Sequence, residues 1–110
     1  IMHRYSSKWI AQRITAILLI PLTFWFIYHC VSFQNLSYVE ITSFFHSYLN
    51  SFLFLVLMIS MLIHAKLGCD TIVEDYVSSN NLKILILWTI KLITYGAILI
   101  SVISIFIIVF

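Results

Sequence analysis

The run SFFHSYLNSFLFLVLMISMLIHA, Ser43 to Ala65, decides the architecture. Between Glu40 and Lys66 no aspartate, glutamate, lysine or arginine interrupts it. As a helix it exceeds the ~20 apolar residues needed to cross the hydrocarbon of a bilayer. It does not alternate and is far longer than the ~10 residues of a barrel strand, so a transmembrane β-barrel is excluded. A helix remains, because in lipid every backbone N–H and C=O must find its partner inside the segment.

Working outward, two further runs meet the same criterion: Ala11 to Ser32 before it and Ile84 to Ile108 after it. The expectation is an all-α membrane protein, a single domain over residues 1–110 with three transmembrane helices in an up-down-up arrangement. Composition agrees. With 63% hydrophobic and 9% charged residues, a soluble domain of this length would leave too much apolar surface in water. The formal charge of +2 comes with no block of like charges, so membrane lipid is the expected surroundings and nucleic acid is not an expected partner. Cys30 and Cys69 have no CxxC or Cys/His spacing around them, which argues against a disulfide framework or a zinc site. The uncharged stretch from Ile14 to Val39 is too long for the apolar region of a secretory signal, and no small-residue cleavage site follows it. Abundant isoleucine, phenylalanine, asparagine and serine beside scarce glycine match an AT-rich genome such as an organelle's.

Basic residues give the orientation. Arg4, Lys8 and Arg13 precede or open the first span, and Lys66 and Lys83 flank the second connection. The first connection, FQNLSYVE, carries only Glu40. The positive-inside rule then puts the N-terminus on the matrix or cytoplasmic side and the C-terminus outside. Pro21 predicts a kink in the first span. Phe24, Trp25, Phe26 and Tyr28 crowd the outer half of that span as an interfacial belt.

Ionisable residues at membrane depth are expensive and raise a functional question. Four stand there: Arg13, His46, His64 and Lys91. His64 is either a histidine satisfied by a neighbouring hydroxyl or carbonyl, or a neutral imidazole offered to a metal such as haem iron. Gly68, one turn on, leaves room for a flat macrocycle or simply for a close helix. His29 and His46 lie near the outer ends of their spans, so a second axial ligand would come from another subunit. Arg13 either snorkels or pairs with an anion through its fork of donors. Lys91 has a stem long enough to snorkel, against a role in proton relay. Then comes EDYV: Asp75 lies eleven residues beyond His64 and returns to nearly the same helix face. The neighbouring Tyr76 phenol is either an interfacial tyrosine or a hydrogen-bond donor to a quinone carbonyl.

Together these residues resemble the D-type membrane-anchor subunit, the small cytochrome b-type subunit, of succinate dehydrogenase (respiratory complex II). Three matches carry the resemblance: the arginine of WIAQRITAILLIPL, the LIHAKLG that holds His64 and Gly68, and the EDYV that holds Asp75, Tyr76 and Val77. The likeness runs over essentially the whole chain, and the His–x3–Gly–x6–Asp–Tyr spacing is its specific part. In place of the His-Trp pair frequent before the first span, this chain has Lys8-Trp9. The resemblance implies that His64 is an axial ligand of a b-type haem (heme b) shared with a C-type anchor subunit. It implies that Arg13 meets a haem propionate or borders the quinone pocket, and that Tyr76 and Asp75 serve ubiquinone. Partners would be the C-type anchor, the iron–sulfur subunit and the flavoprotein subunit. The chain would then be a non-catalytic anchor and quinone-binding subunit of an enzyme, succinate:ubiquinone oxidoreductase. Its expected site is the mitochondrial inner membrane, with a bacterial plasma membrane as the alternative. The competing reading is a structural accessory subunit of a respiratory membrane complex without a redox role. A small transporter fits less well, because the outer half of the third span offers no polar path.

Overall fold

The computed structural model describes the backbone of residues 2–33 and 37–110, with side chains from residue 7 onward. The side chains of His3 and Arg4, and residues 34–36 of the first connection, lie outside the described residues. Within them the regular structure is entirely helical: α1 (Met2–Ser32), α2 (Tyr38–His46), α3 (Tyr48–Tyr76) and α4 (Asn80–Val109). Three of these, within Ser7–Ser32, Tyr48–Tyr76 and Asn80–Val109, are long and apolar enough to cross a membrane. The protein is a multi-pass membrane protein of 49 × 24 × 22 Å.

The local causes are visible at each helix start. Ser37, Ser47 and Ser79 are N-caps, accepting from the backbone N–H of Glu40, Asn50 and Leu82 respectively. Each satisfies one of the amide donors that a helix leaves unpaired in its first turn. α1 runs through Pro21 unbroken. Between α3 and α4 only Val77–Ser79 are non-helical, so these two long helices pack antiparallel.

The central run differs from a single helix over 43–65. Ser47 ends α2 and caps α3 with extended backbone at ψ 121. The carbonyls left open at the end of α2 are taken by the next helix. Asn50 Nδ2 donates to the Phe44 carbonyl at 3.1 Å, and Ser51 Oγ donates to that of Phe45. The corner thereby has no orphaned acceptor on those two groups. At its other end α3 continues past Ala65 to Tyr76, where the sequence reading opened a connection at Lys66. Nothing in 66–76 breaks a helix, and Lys66 pairs with Asp70 one turn on. His64 therefore sits about 18 Å from the end of α3, at 1.5 Å per residue, deeper within its helix than a span ending at Ala65 implies.

α3 is the central element, packed against α1 on one side and α4 on the other, while α2 folds against α3 and α4. The interior is polar as much as apolar: Leu22, Phe44, Leu57 and Ile105 are buried, and so are Thr15, Ser51, Ser60, Asp70 and Thr94. Small hydroxyl side chains let helix backbones approach and bond locally. Ile17, Phe24, Leu92, Ile100 and Ile107, each more than 60% exposed, turn outward. Lipid or partner helices cover such surface where water would not.

Candidate functional site at the polar end of the helices

His64 faces α1. Its Nδ1 lies 3.0 Å from Thr15 Oγ1, and Thr15 is, with Leu22, one of two buried residues of α1 among those described. The same hydroxyl is 2.8 Å from the Ala11 carbonyl and 3.1 Å from that of Gln12. Eleven residues on, Asp75 returns to this face and lines a cleft with residues of α1, as helical periodicity predicts. The cleft holds about 320 Å³ between Lys8, Trp9, Gln12 and Arg13 on α1 and Leu67, Thr71, Glu74 and Asp75 on α3. That is the lower end of the ~300–1,000 Å³ typical of small-molecule sites.

The structure thus brings Arg13 and Asp75 to one cleft. The Arg13 guanidinium lies 4.9 Å from the centre of the Trp9 ring, a cation–π contact that leaves its N–H fork available to an anion or a carbonyl. Lys8 pairs with Glu74 at 3.3 Å and bridges the two helices at the cleft. Both partners are about half exposed. Tyr76 does not join this lining. One residue along a helix is a rotation of ~100°, and the Tyr76 ring stands 83% exposed at the end of α3. His46, the last residue of α2, and His29 are not at this end. His29 sits in the aromatic cluster at the other end, 5.0 Å from the Trp25 ring and 4.9 Å from Phe44.

A second cavity of about 280 Å³ opens on the α4 side between Lys8, Lys66, Asp70, Glu74, Leu87, Trp88 and Lys91. Lys66 Nζ meets Asp70 Oδ2 at 2.6 Å, with the two side chains 19% and 7% exposed. Asp70 Oδ1 is buried without a partner among the described residues. Lys91 covers the Trp88 ring at 4.8 Å. The i,i+4 spacing of Lys66 and Asp70 is the signal by which this pair is readable in the sequence. Thr15 has no such signal, since its partner is 49 residues away.

The chemistry at His64 is compatible with a haem ligand: Thr15 engages one ring nitrogen, and the other would be available to a metal. Among the described residues no three histidine, cysteine or acidic side chains converge as a donor cluster for a bare ion. A macrocycle that supplies its own four nitrogens would ask only one imidazole of this chain. The surface beside Gly68 is not open, however. A Cβ there would lie 3.9 Å from Gln12 Nε2, in ordinary van der Waals contact, so the Gln12 side chain of α1 lies beside the glycine. Gln12 Oε1 is buried and has no partner among the described residues.

The chain belongs to the succinate dehydrogenase/fumarate reductase transmembrane subunit family, which it matches over residues 2–110. Within that class its relatives are of one kind. It is 31% identical over 101 residues to the succinate dehydrogenase hydrophobic membrane anchor subunit of Rickettsia bellii (strain RML369-C), covering 92% of this chain and 81% of that one. It is 29% identical, with the same coverage, to the subunit so named in Rickettsia prowazekii (strain Madrid E). That of Rickettsia felis (strain ATCC VR-1525 / URRWXCal2) is 32% identical over 78 residues, 71% of this chain and 65% of its own. Family and relatives together support a membrane-anchor subunit of complex II, a component of an enzyme complex.

Proposed function

We propose that this anchor takes part in quinone reduction at the Lys8–Asp75 end of its helices and supplies one axial ligand to a b-type haem. The observation that carries the reading is the sharing of one cleft by Arg13 and Asp75 at the foot of the helix face that also holds His64. An always-charged fork and a carboxylate able to exchange protons with water suit a ring that must be oriented and then protonated. Ubiquinone accepts two electrons and two protons to become ubiquinol. The electrons would arrive from succinate through the flavoprotein and iron–sulfur subunits. Arg13 orients the ring or a haem propionate, and Asp75 relays protons from the aqueous side. Tyr76, exposed on the far side of the helix end, hydrogen-bonds a quinone carbonyl in a pocket completed by the iron–sulfur subunit and the C-type anchor. His64, with a ligand from that second anchor, would hold the haem, which would supply one-electron storage. The basic residues put this end on the inner side, and the rickettsial relatives favour a bacterial plasma membrane over the mitochondrial inner membrane.

The test is Asp75→Asn in the assembled complex. Succinate–quinone reduction falls by ~10²-fold, within the range for loss of a general acid–base group, while succinate oxidation by an artificial dye is retained. Unchanged quinone reduction removes Asp75 from the site, and the accessory-subunit reading then gains.

A further inference from the structure

The hydroxyl of Thr15 makes more contacts than its single proton can serve. It lies 2.8 Å from the Ala11 carbonyl, 3.1 Å from the Gln12 carbonyl and 3.0 Å from His64 Nδ1. A threonine inside a helix donates to the carbonyl one turn back, and here that is the shortest of the three contacts. With its proton committed to Ala11, the oxygen has lone pairs left for the histidine. The pair is consistent only if Nδ1 carries the hydrogen and donates it to Oγ1. Among the described residues, Thr15 alone is hydrogen-bonded to the ring.

We infer that Thr15 is a positioning residue for His64: its hydroxyl holds the imidazole as the Nδ1–H tautomer and so leaves Nε2 as the coordinating atom. The two ring nitrogens point in nearly opposite directions, so Nε2 is turned away from Thr15. This inference rests on the proposed haem ligation. It adds what fixes the ring before any iron arrives. In metal sites the outer hydrogen bond of a ligating histidine sets its tautomer and orientation, and its removal weakens metal binding by ~10–100-fold. Thr15 supplies that bond from a different helix, so the packing of α1 on α3 and the readiness of the ligand become one event. A hydroxyl that has spent its proton on its own helix can only accept, which excludes the tautomer that would present Nδ1 to a metal.

Three variants of the assembled complex, purified with its partner subunits, separate the possibilities. His64→Ala tests the ligation itself and removes the low-spin b-type absorption band. Retention of that band by His64→Ala refutes the ligation, and the inference with it. Thr15→Val keeps the shape and deletes the acceptor. Haem is then lost on dilution ~10–100-fold more readily, and the low-spin electron paramagnetic resonance signal of the remainder shifts. Thr15→Ser restores both. Wild-type retention and signal in Thr15→Val, alongside loss in His64→Ala, overturns the inference and leaves the ligation standing. Equal defects in the valine and serine variants also overturn it, because restoring the hydroxyl would then restore nothing. Where the valine variant does not assemble, Thr15→Ala makes the same comparison without the added methyl. Failure of both to assemble while His64→Ala assembles assigns Thr15 to folding and overturns the inference.

Discussion

Two histidines, one at each end of the bundle, are housed in opposite ways. His64 is held by a hydroxyl from the neighbouring helix at 3.0 Å and stands above a cleft lined by Arg13 and Asp75. His29 is held by ring faces and edges, among them Trp25 and Phe44, with no bond to its ring nitrogens from any described residue. One environment specifies which nitrogen carries a proton, and the other specifies only shape. Directional bonding is what a ligand needs, whereas stacking suffices for a wedge that sets the spacing between α1 and α2. Residue type alone therefore marks neither position as functional.

That contrast breaks most sharply at the level of spectrum. His64→Ala abolishes the b-type absorption of the complex, whereas His29→Phe, which preserves the aromatic packing, leaves it intact. Loss of the band in both variants would erase the difference. Next in size is Lys66→Met, which leaves the Asp70 carboxylate buried and unpaired at a cost of ~3–5 kcal/mol. It should lower the temperature at which the purified complex sheds this subunit. Adding Asp70→Leu to that variant should recover most of the loss, as a double-mutant cycle would measure. Tyr76→Phe sharpens the polar end itself: loss of one hydrogen bond to substrate raises the KM for quinone by roughly tenfold, about 1.4 kcal/mol. The smallest effect belongs to Lys8→Ala. Its ion pair with Glu74 is half exposed, so stability changes by less than ~1 kcal/mol, and steady-state thermal denaturation should scarcely register it.

The spans were legible because length and hydropathy act over many residues at once. Asp75 was legible for a related reason: eleven residues is close to three whole turns, so its return to the face of His64 follows from helix geometry. The same geometry explains why Tyr76, adjacent in sequence, turns away from the cleft. The corner at Ser47 was harder to read. A serine amid apolar residues looks like an ordinary helix position until Asn50 and Ser51 are seen reaching back to the carbonyls of Phe44 and Phe45. The contact between Thr15 and His64 had no local signature at all, since it depends on how α1 and α3 are set against each other. Gly68 allows either a ring or a close helix, and that Gln12 lies beside it follows from that same packing.

The central place of α3 has a consequence for how the chain is made. α1 and α4 each lean on α3 and not on one another, so α1 enters the bilayer first and must wait there without its neighbour. During that interval the Thr15 hydroxyl already has the Ala11 carbonyl as its acceptor, and the waiting helix carries no stranded donor at that position. When the ribosome delivers α3, the imidazole docks onto a group that needed nothing. The order of synthesis and the bonding of the His64 ring are thus compatible.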